Sequence, residues 1–250
     1  MAHLFILTRL LDSLLGGFEV KVYQALGFAS PEAIDRAAKV NDAFAYELLV
    51  AAGLIAFFLI VRLTLSVEKP NPAQQVAEMV HETVSDLSDQ IIGHGYERFQ
   101  AFVTCVGLFV LLNNFMGLIP GVTTPTSRPE VPLGIAVMTF LYYNFHGVRV
   151  QGPVGYLKHF AGPLWWLAPL MFPIEIISHL ARMMSLTIRL YANMLASDLL
   201  TLVWFSLLPL AIPTVFLGLH FVVSLIQAFV FMLLSIIYLS MAVAHEHGAE

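Results

Sequence analysis

EIISHLARMMSLTIRLYANMLASD, residues 175–198, lies in an apolar tract and yet carries Glu175, Arg182, Arg189 and Asp198. Ionisable groups at membrane depth are costly, and where they occur they mark ion pathways and relays. Helical spacing stacks Glu175, Ser178, Arg182, Ser185, Arg189 and Asn193 at steps of three and four, so these six share one polar face. Asp198 stands nine residues past Arg189, about 900° on and therefore half a turn round. One helix thus presents a polar row on one side, a carboxylate on the other, and Arg189 near the changeover. The pattern is that of two polar paths meeting at a charged barrier.

The rest of the chain places this stretch in a membrane. Of 250 residues, 58% are hydrophobic and 12% are charged, whereas soluble domains carry about 25% charged residues. Long unalternating apolar tracts point to an all-α polytopic protein rather than a β-barrel. The net charge of −5 gives no sign of nucleic acid. The single Cys105 allows no internal disulfide and no metal framework. No Gly-rich phosphate loop, HExxH or GxSxG occurs, and His245 and His247 read as solvated residues of a polar tail, so no cofactor and no metal is expected. Arg9 and Asp12 interrupt the first apolar run, which argues against a signal peptide.

Residues 1–42 read as an interfacial segment in which Leu4, Ile6, Leu7, Leu10, Leu11, Leu14 and Leu15 line one face of a short helix. Residues 43–65 form the first spanning helix, with Glu47 and Arg62 near its ends. Residues 66–98 are a linker holding an amphipathic helix, in which Val76, Val80, Val84, Leu87 and Ile91 recur at helical spacing. That helix lies on the membrane surface or docks on another helix. Residues 99–148 form a helical hairpin about the turn-rich loop GVTTPTSRPE at 121–130, and 149–162 a further loop. Lys69, Arg98, Arg149 and Lys158 against Arg128 alone put the 66–98 and 149–162 segments in the cytoplasm. The N-terminus is then outside and the C-terminus cytoplasmic, although four basic residues before the first span pull the other way.

Two tracts are too long to stand upright. Residues 174–208 contain no proline or glycine, and as a helix they measure roughly 52 Å against a hydrocarbon core of about 30 Å. After the break LPLAIP, residues 214–244 measure roughly 46 Å. Tilt is the ordinary response to excess length. Two strongly tilted helices, 163–208 and 209–244, packed as a hairpin with a protein partner along one side, are expected. In such a hairpin His220 comes near Asp198, and Gln227 lies further back towards Arg189.

Each of these residues also has a plainer reading. Spacings of 14 and 9 rule out intrahelical pairing of Arg189 with Glu175 or Asp198, so its partner lies elsewhere or its charge is available for function. Arg182 reads as a structural residue that snorkels or stabilises. Asp198 and His220 form either a buried ion pair or a proton relay. Ser178, Ser185, Asn193, Asn114 and Gln227 either bond between helices or line a hydrated cavity. An antiporter with an arginine–aspartate gate is one rival, which predicts an internal repeat or broken helices. A scaffold subunit of a respiratory complex is another.

LTIRLYANMLASDLL at 186–200, SLIQAFVFMLLSIIYLSMA at 224–242 and NNFMGLIPG at 113–121 resemble the signature segments of subunit a of rotary F-type ATP synthases. The resemblance covers most of the chain from about residue 43. It implies a stator subunit of the Fo sector that couples proton flow to ring rotation and ATP synthesis. Under it Arg189 is the essential arginine, Glu175, Ser178, Ser185 and Asn193 line the cytoplasmic half-channel, and Asp198, His220, Asn114 and Gln227 line the opposite one. Some members carry an acid where Gly117 stands. The implied partners are the c-subunit ring, the b-subunit peripheral stalk, the remaining F1Fo subunits and membrane lipid. The implied location is a bacterial inner membrane, with nucleotide chemistry on other chains.

Overall fold

The computed structural model describes residues 42–66, 70–119, 122, 124–161, 168–207 and 212–243. The interfacial segment expected over residues 1–41, the LPLA part of the proline break and the polar tail lie outside them. The described residues form α1 (Asp42–Leu63), α2 (Pro72–Ile92), α3 (Glu97–Met116), a 3-10 turn (Pro125–Ser127), α4 (Glu130–Ala161), α5 (Ala168–Leu207) and α6 (Ile212–Val243). Five of the helices are long and apolar enough to cross a membrane.

α4, α5 and α6 pack on one another, α3 lies against α6, and α2 bridges α3 and α6. Two apolar clusters fill the contacts. One joins Val110 of α3, Val131, Ile135 and Ala136 of α4, Leu186, Leu190 and Met194 of α5, and Ala228 and Phe231 of α6. The other joins Val84 of α2, Phe99 and Val103 of α3, Tyr143 of α4, and Ile236, Leu239, Ala242 and Val243 of α6. Lipid tails are as apolar as these side chains, so packing density and interhelical hydrogen bonds hold such a bundle together.

The amphipathic helix α2 docks on its own chain. Val80, Leu87 and Ile91 pack against the second cluster while Val76 stays exposed, and the Ser240 hydroxyl of α6 donates to the Ile91 carbonyl at 2.9 Å. Two boundaries differ from the sequence reading. The segment from Arg149, expected as a loop, stays helical to Ala161 and is interrupted at Gly152, whose φ of 72° is open to a residue without a Cβ. α5 begins at Ala168 and runs through Pro173. That proline stands in the second turn, where its missing N–H removes only one bond near a helix start.

The third difference shapes the site. Surface exposure is the rule for loops, yet Thr124, Pro125 and Thr126 of the α3–α4 connection are buried. The 3-10 turn packs against α3, α5, α4 and α1. The connection folds into the bundle because its hydroxyls find polar partners there.

Candidate functional site

The buried stripe of α5 is Leu186, Leu190 and Met194, at steps of four. Arg189 and Asp198 flank it on opposite sides, as their half-turn offset requires. Asp198 faces the α3–α4 connection. The Thr124 hydroxyl donates to Asp198 Oδ1 at 2.7 Å, and the Thr124 N–H donates to Oδ2 at 3.3 Å. His220 of α6 is fully buried beside them. Its Nε2 lies 3.1 Å from the Asn114 carbonyl and its Nδ1 2.7 Å from the Ser197 hydroxyl. A carbonyl can only accept, so Nε2 carries the proton and Nδ1 accepts from Ser197. Asp198 Oδ1 is 3.8 Å from Nδ1, beyond a hydrogen bond.

Asn114 closes this cluster, its amide oxygen accepting from the Thr126 hydroxyl at 2.6 Å. Its Nδ2, like Asn113 Oδ1 and Ser224 Oγ, is buried without a hydrogen-bond partner among the described residues. Gly117 explains how the cluster fits together. A Cβ there would overlap the Thr124 hydroxyl and lie 2.8 Å from His220 Nε2. The backbone at Gly117 is ordinary helical, φ −68° and ψ −12°, so its neighbours, not its conformation, demand glycine. The space that a side chain at this position would fill is taken by Thr124.

Asn193 and Gln227, assigned by the resemblance to different paths, bond to each other: Asn193 Nδ2 donates to Gln227 Oε1 at 2.8 Å. Gln227 is buried and Asn193 exposed. The pair therefore ties α5 to α6 one turn beyond Arg189. Ser185 and Arg189 stand on the exposed side of α5 with Ala192 and Ala196. Among the described residues Arg189 has no hydrogen-bond or ion-pair partner.

At the other end of α5, Glu175 Oε1 lies 3.3 Å from His179 Nε2. His179 Nδ1 in turn lies 3.0 Å from the hydroxyl of Tyr143 on α4. Ser178 is half-buried next to this pair. Arg182, one turn further on, lays its guanidinium over the Tyr238 ring at 5.9 Å. That is a cation–π contact of a packing residue, in keeping with the structural reading of Arg182.

Sequence reasoning missed His179, Tyr143, Thr124, Thr126 and Ser197. The spacing of four between Glu175 and His179, and the adjacency of Ser197 to Asp198, were available signals. Nothing local marks Thr124 or Thr126, since their role depends on the connection folding inward.

A profile of the family described as ATP synthase A chain matches residues 44–240. The chain is 46% identical to ATP synthase subunit a of Koribacter versatilis (strain Ellin345) over 247 residues, 99% of this chain and 100% of the relative. It is 46% identical to ATP synthase subunit a of Solibacter usitatus (strain Ellin6076) over 201 residues, 80% and 86% of the two chains. To ATP synthase subunit a of Helicobacter pylori (strain P12) it is 37% identical over 202 residues, 80% and 89%. The chain belongs to the ATP synthase A chain family. It is a multi-pass membrane protein of bacterial type. The antiporter and scaffold readings find no support.

Proposed function

We propose that this chain is the proton-translocating stator subunit of an ATP synthase, and that Arg189 separates two half-channels, one ending at Asp198 and one at Glu175. One observation carries the reading. Asp198 bonds to the connection between α3 and α4, while the Glu175–His179 pair reaches Tyr143, about 20 Å further along α4 from its start at Glu130. The two carboxylates thus address opposite ends of the same spanning helix. They are about 35 Å apart along α5, with Arg189 between them.

The outer path gathers Asp198, His220, Asn114, Thr124 and Ser197. Its unpaired buried atoms are of the kind that bind ordered water. The cytoplasmic path gathers Glu175, Ser178 and Ser185. Asn193 and Gln227 join the helices near the barrier rather than lining two separate routes. The partner is a ring of c subunits, each with one carboxylate. The exposed face of α5 about Arg189 is built of small residues, and α6 adds exposed Val215, Leu219, Val222 and Ile226, a surface suited to close helix packing. α5 is about 60 Å long and α6 about 48 Å, which favours strong tilt against that ring. The b-subunit stalk completes the stator, the membrane is the bacterial inner membrane, and the N-terminus lies outside with the C-terminus in the cytoplasm.

The mechanism follows from charge. A proton entering one path neutralises a ring carboxylate, and the neutral acid can enter lipid without most of the burial cost. When that acid reaches Arg189, the cation favours its ionised form and the proton leaves by the other path. Arg189 also repels a proton crossing directly. Guanidinium suits the role because it stays charged when partly desolvated.

The test is ATP-driven acidification of vesicles carrying the whole complex with Arg189→Ala, with assembly followed by pull-down. Assembly with loss of pumping is expected. Pumping at wild-type rate would overturn the gate.

A further inference from the structure

We propose that His179, held by Tyr143, is a proton-carrying group that takes protons inward from Glu175, so that the cytoplasmic path is a three-residue relay rather than a lone carboxylate. The proposal rests on the two-path reading above and concerns one path only. Three observations support it.

First, burial is graded along the row. The Glu175 side chain is 28% exposed, that of His179 11%, and Tyr143 is 3% exposed as a residue. The carboxylate is therefore the most accessible of the three and the imidazole stands one step inside.

Second, both ring nitrogens are engaged, at 3.3 Å by Glu175 Oε1 and at 3.0 Å by the Tyr143 hydroxyl. An ionised carboxylate only accepts, so Nε2 carries the proton and Nδ1 accepts from Tyr143. Outward, Tyr143 passes its hydroxyl proton to Nδ1 and takes one from water on the inner side, Nε2 gives its proton to the Glu175 carboxylate, and Glu175 releases it to cytoplasmic water, which leaves the imidazole as the other tautomer. A proton taken inward from Glu175 runs the same steps in reverse and restores the first tautomer. An imidazole with two polar neighbours that differ in this way conducts in either direction, as a synthase that also pumps requires.

Third, the position is fixed on both sides. The Tyr143 ring lies against His179 with centroids 5.9 Å apart and against Tyr238 at 5.9 Å. Phe140 stands edge-on to the imidazole at 6.4 Å.

The experiment measures passive proton flux through vesicles carrying the assembled complex stripped of its F1 sector, and ATP-driven acidification by the whole complex. His179→Gln keeps a hydrogen-bonding amide beside Glu175 but cannot carry a proton. We expect assembly to survive and flux to fall roughly tenfold or more, consistent with loss of a positioned proton-transfer group. Glu175→Gln should fall similarly. The double variant should be no worse than about twofold below the weaker single, because groups in series act as a unit. Tyr143→Phe removes one oxygen and keeps the ring packing, and it should lower flux about threefold on the same ground. Wild-type flux in His179→Gln overturns the relay, as do independent, multiplying losses in the double variant. If His179→Gln disturbs assembly, Tyr143→Phe decides alone, and unchanged flux in it overturns the proposal. Arg189→Ala in the same vesicles separates the two claims: persistent coupled pumping there overturns the two-path reading itself.

Discussion

Gly117→Ala adds one methyl group at the end of α3 and should disable the outer cluster. The new Cβ would overlap the Thr124 hydroxyl and stand 2.8 Å from His220 Nε2 and 2.9 Å from Cε1. Neither neighbour can swing away cheaply. Threonine is stiff at χ1, and its hydroxyl is bonded to Asp198 at 2.7 Å. The imidazole is held from both sides by Ser197 and the Asn114 carbonyl. If the cluster stays in place, the overpacking costs about 1–3 kcal/mol. If Thr124 moves instead, a hydrogen bond to a charged group is lost, at about 1.5–3 kcal/mol. Either route predicts a destabilisation of about 2 kcal/mol, and only the second removes a partner from Asp198. Thermal unfolding of the purified complex and passive proton flux in vesicles read the two effects separately. Gly134→Ala is the control, since a Cβ there meets nothing within 4 Å. It should leave flux unchanged and the midpoint equal or slightly higher. Gly117→Ala combined with Thr124→Ala relieves one of the two clashes, so stability should recover in part while flux does not. If Gly117→Ala matches Gly134→Ala in both measurements, the account of the cluster is wrong.

Further expectations follow from individual contacts. Asp198→Asn preserves shape but offers one acceptor oxygen to the two Thr124 donors, so thermal stability should fall by about 1 kcal/mol, the size of one hydrogen bond, while proton flux drops, measured on the same preparation. A double-mutant cycle of Asn193→Leu and Gln227→Leu should give a coupling of about 0.6 kcal/mol in unfolding, the usual size of an interhelical hydrogen bond in a membrane; a coupling of zero would remove the α5–α6 tie. Gly152→Ala forces a side chain on to a backbone with φ 72° and ψ 158°, and should lower stability by about 1–3 kcal/mol without altering the pH dependence of pumping. Arg189→Lys keeps the charge on a more readily deprotonated, single-point group, and should assemble normally yet pump less than wild type in the acidification assay.

The spans were legible because hydropathy over some twenty residues is a sum over a local stretch, insensitive to what the stretch packs against. Helical spacing likewise placed Arg189 and Asp198 on opposite sides of Leu190, since the angle between residues of one helix is set by the backbone alone. The excess length of α5 and α6 could be counted directly. The pairing of Glu175 with His179 was open to the same count, four residues apart on one helix, although it was not drawn from it.

What the tertiary structure decided lies between elements. Thr124 and Thr126 sit in a stretch whose composition reads as a surface turn, and only the inward fold of the connection brings them to Asp198 and Asn114. Asn193 meets Gln227 through the relative register of α5 and α6, which no periodicity within either helix contains. Gly117 is required by neighbours from the connection and from α6, not by its own φ and ψ. Spacing along the chain is fixed by covalent geometry and needs no partner. Register, approach and the filling of a shared space depend on side chains far apart in the chain, and they exist only once the helices have packed.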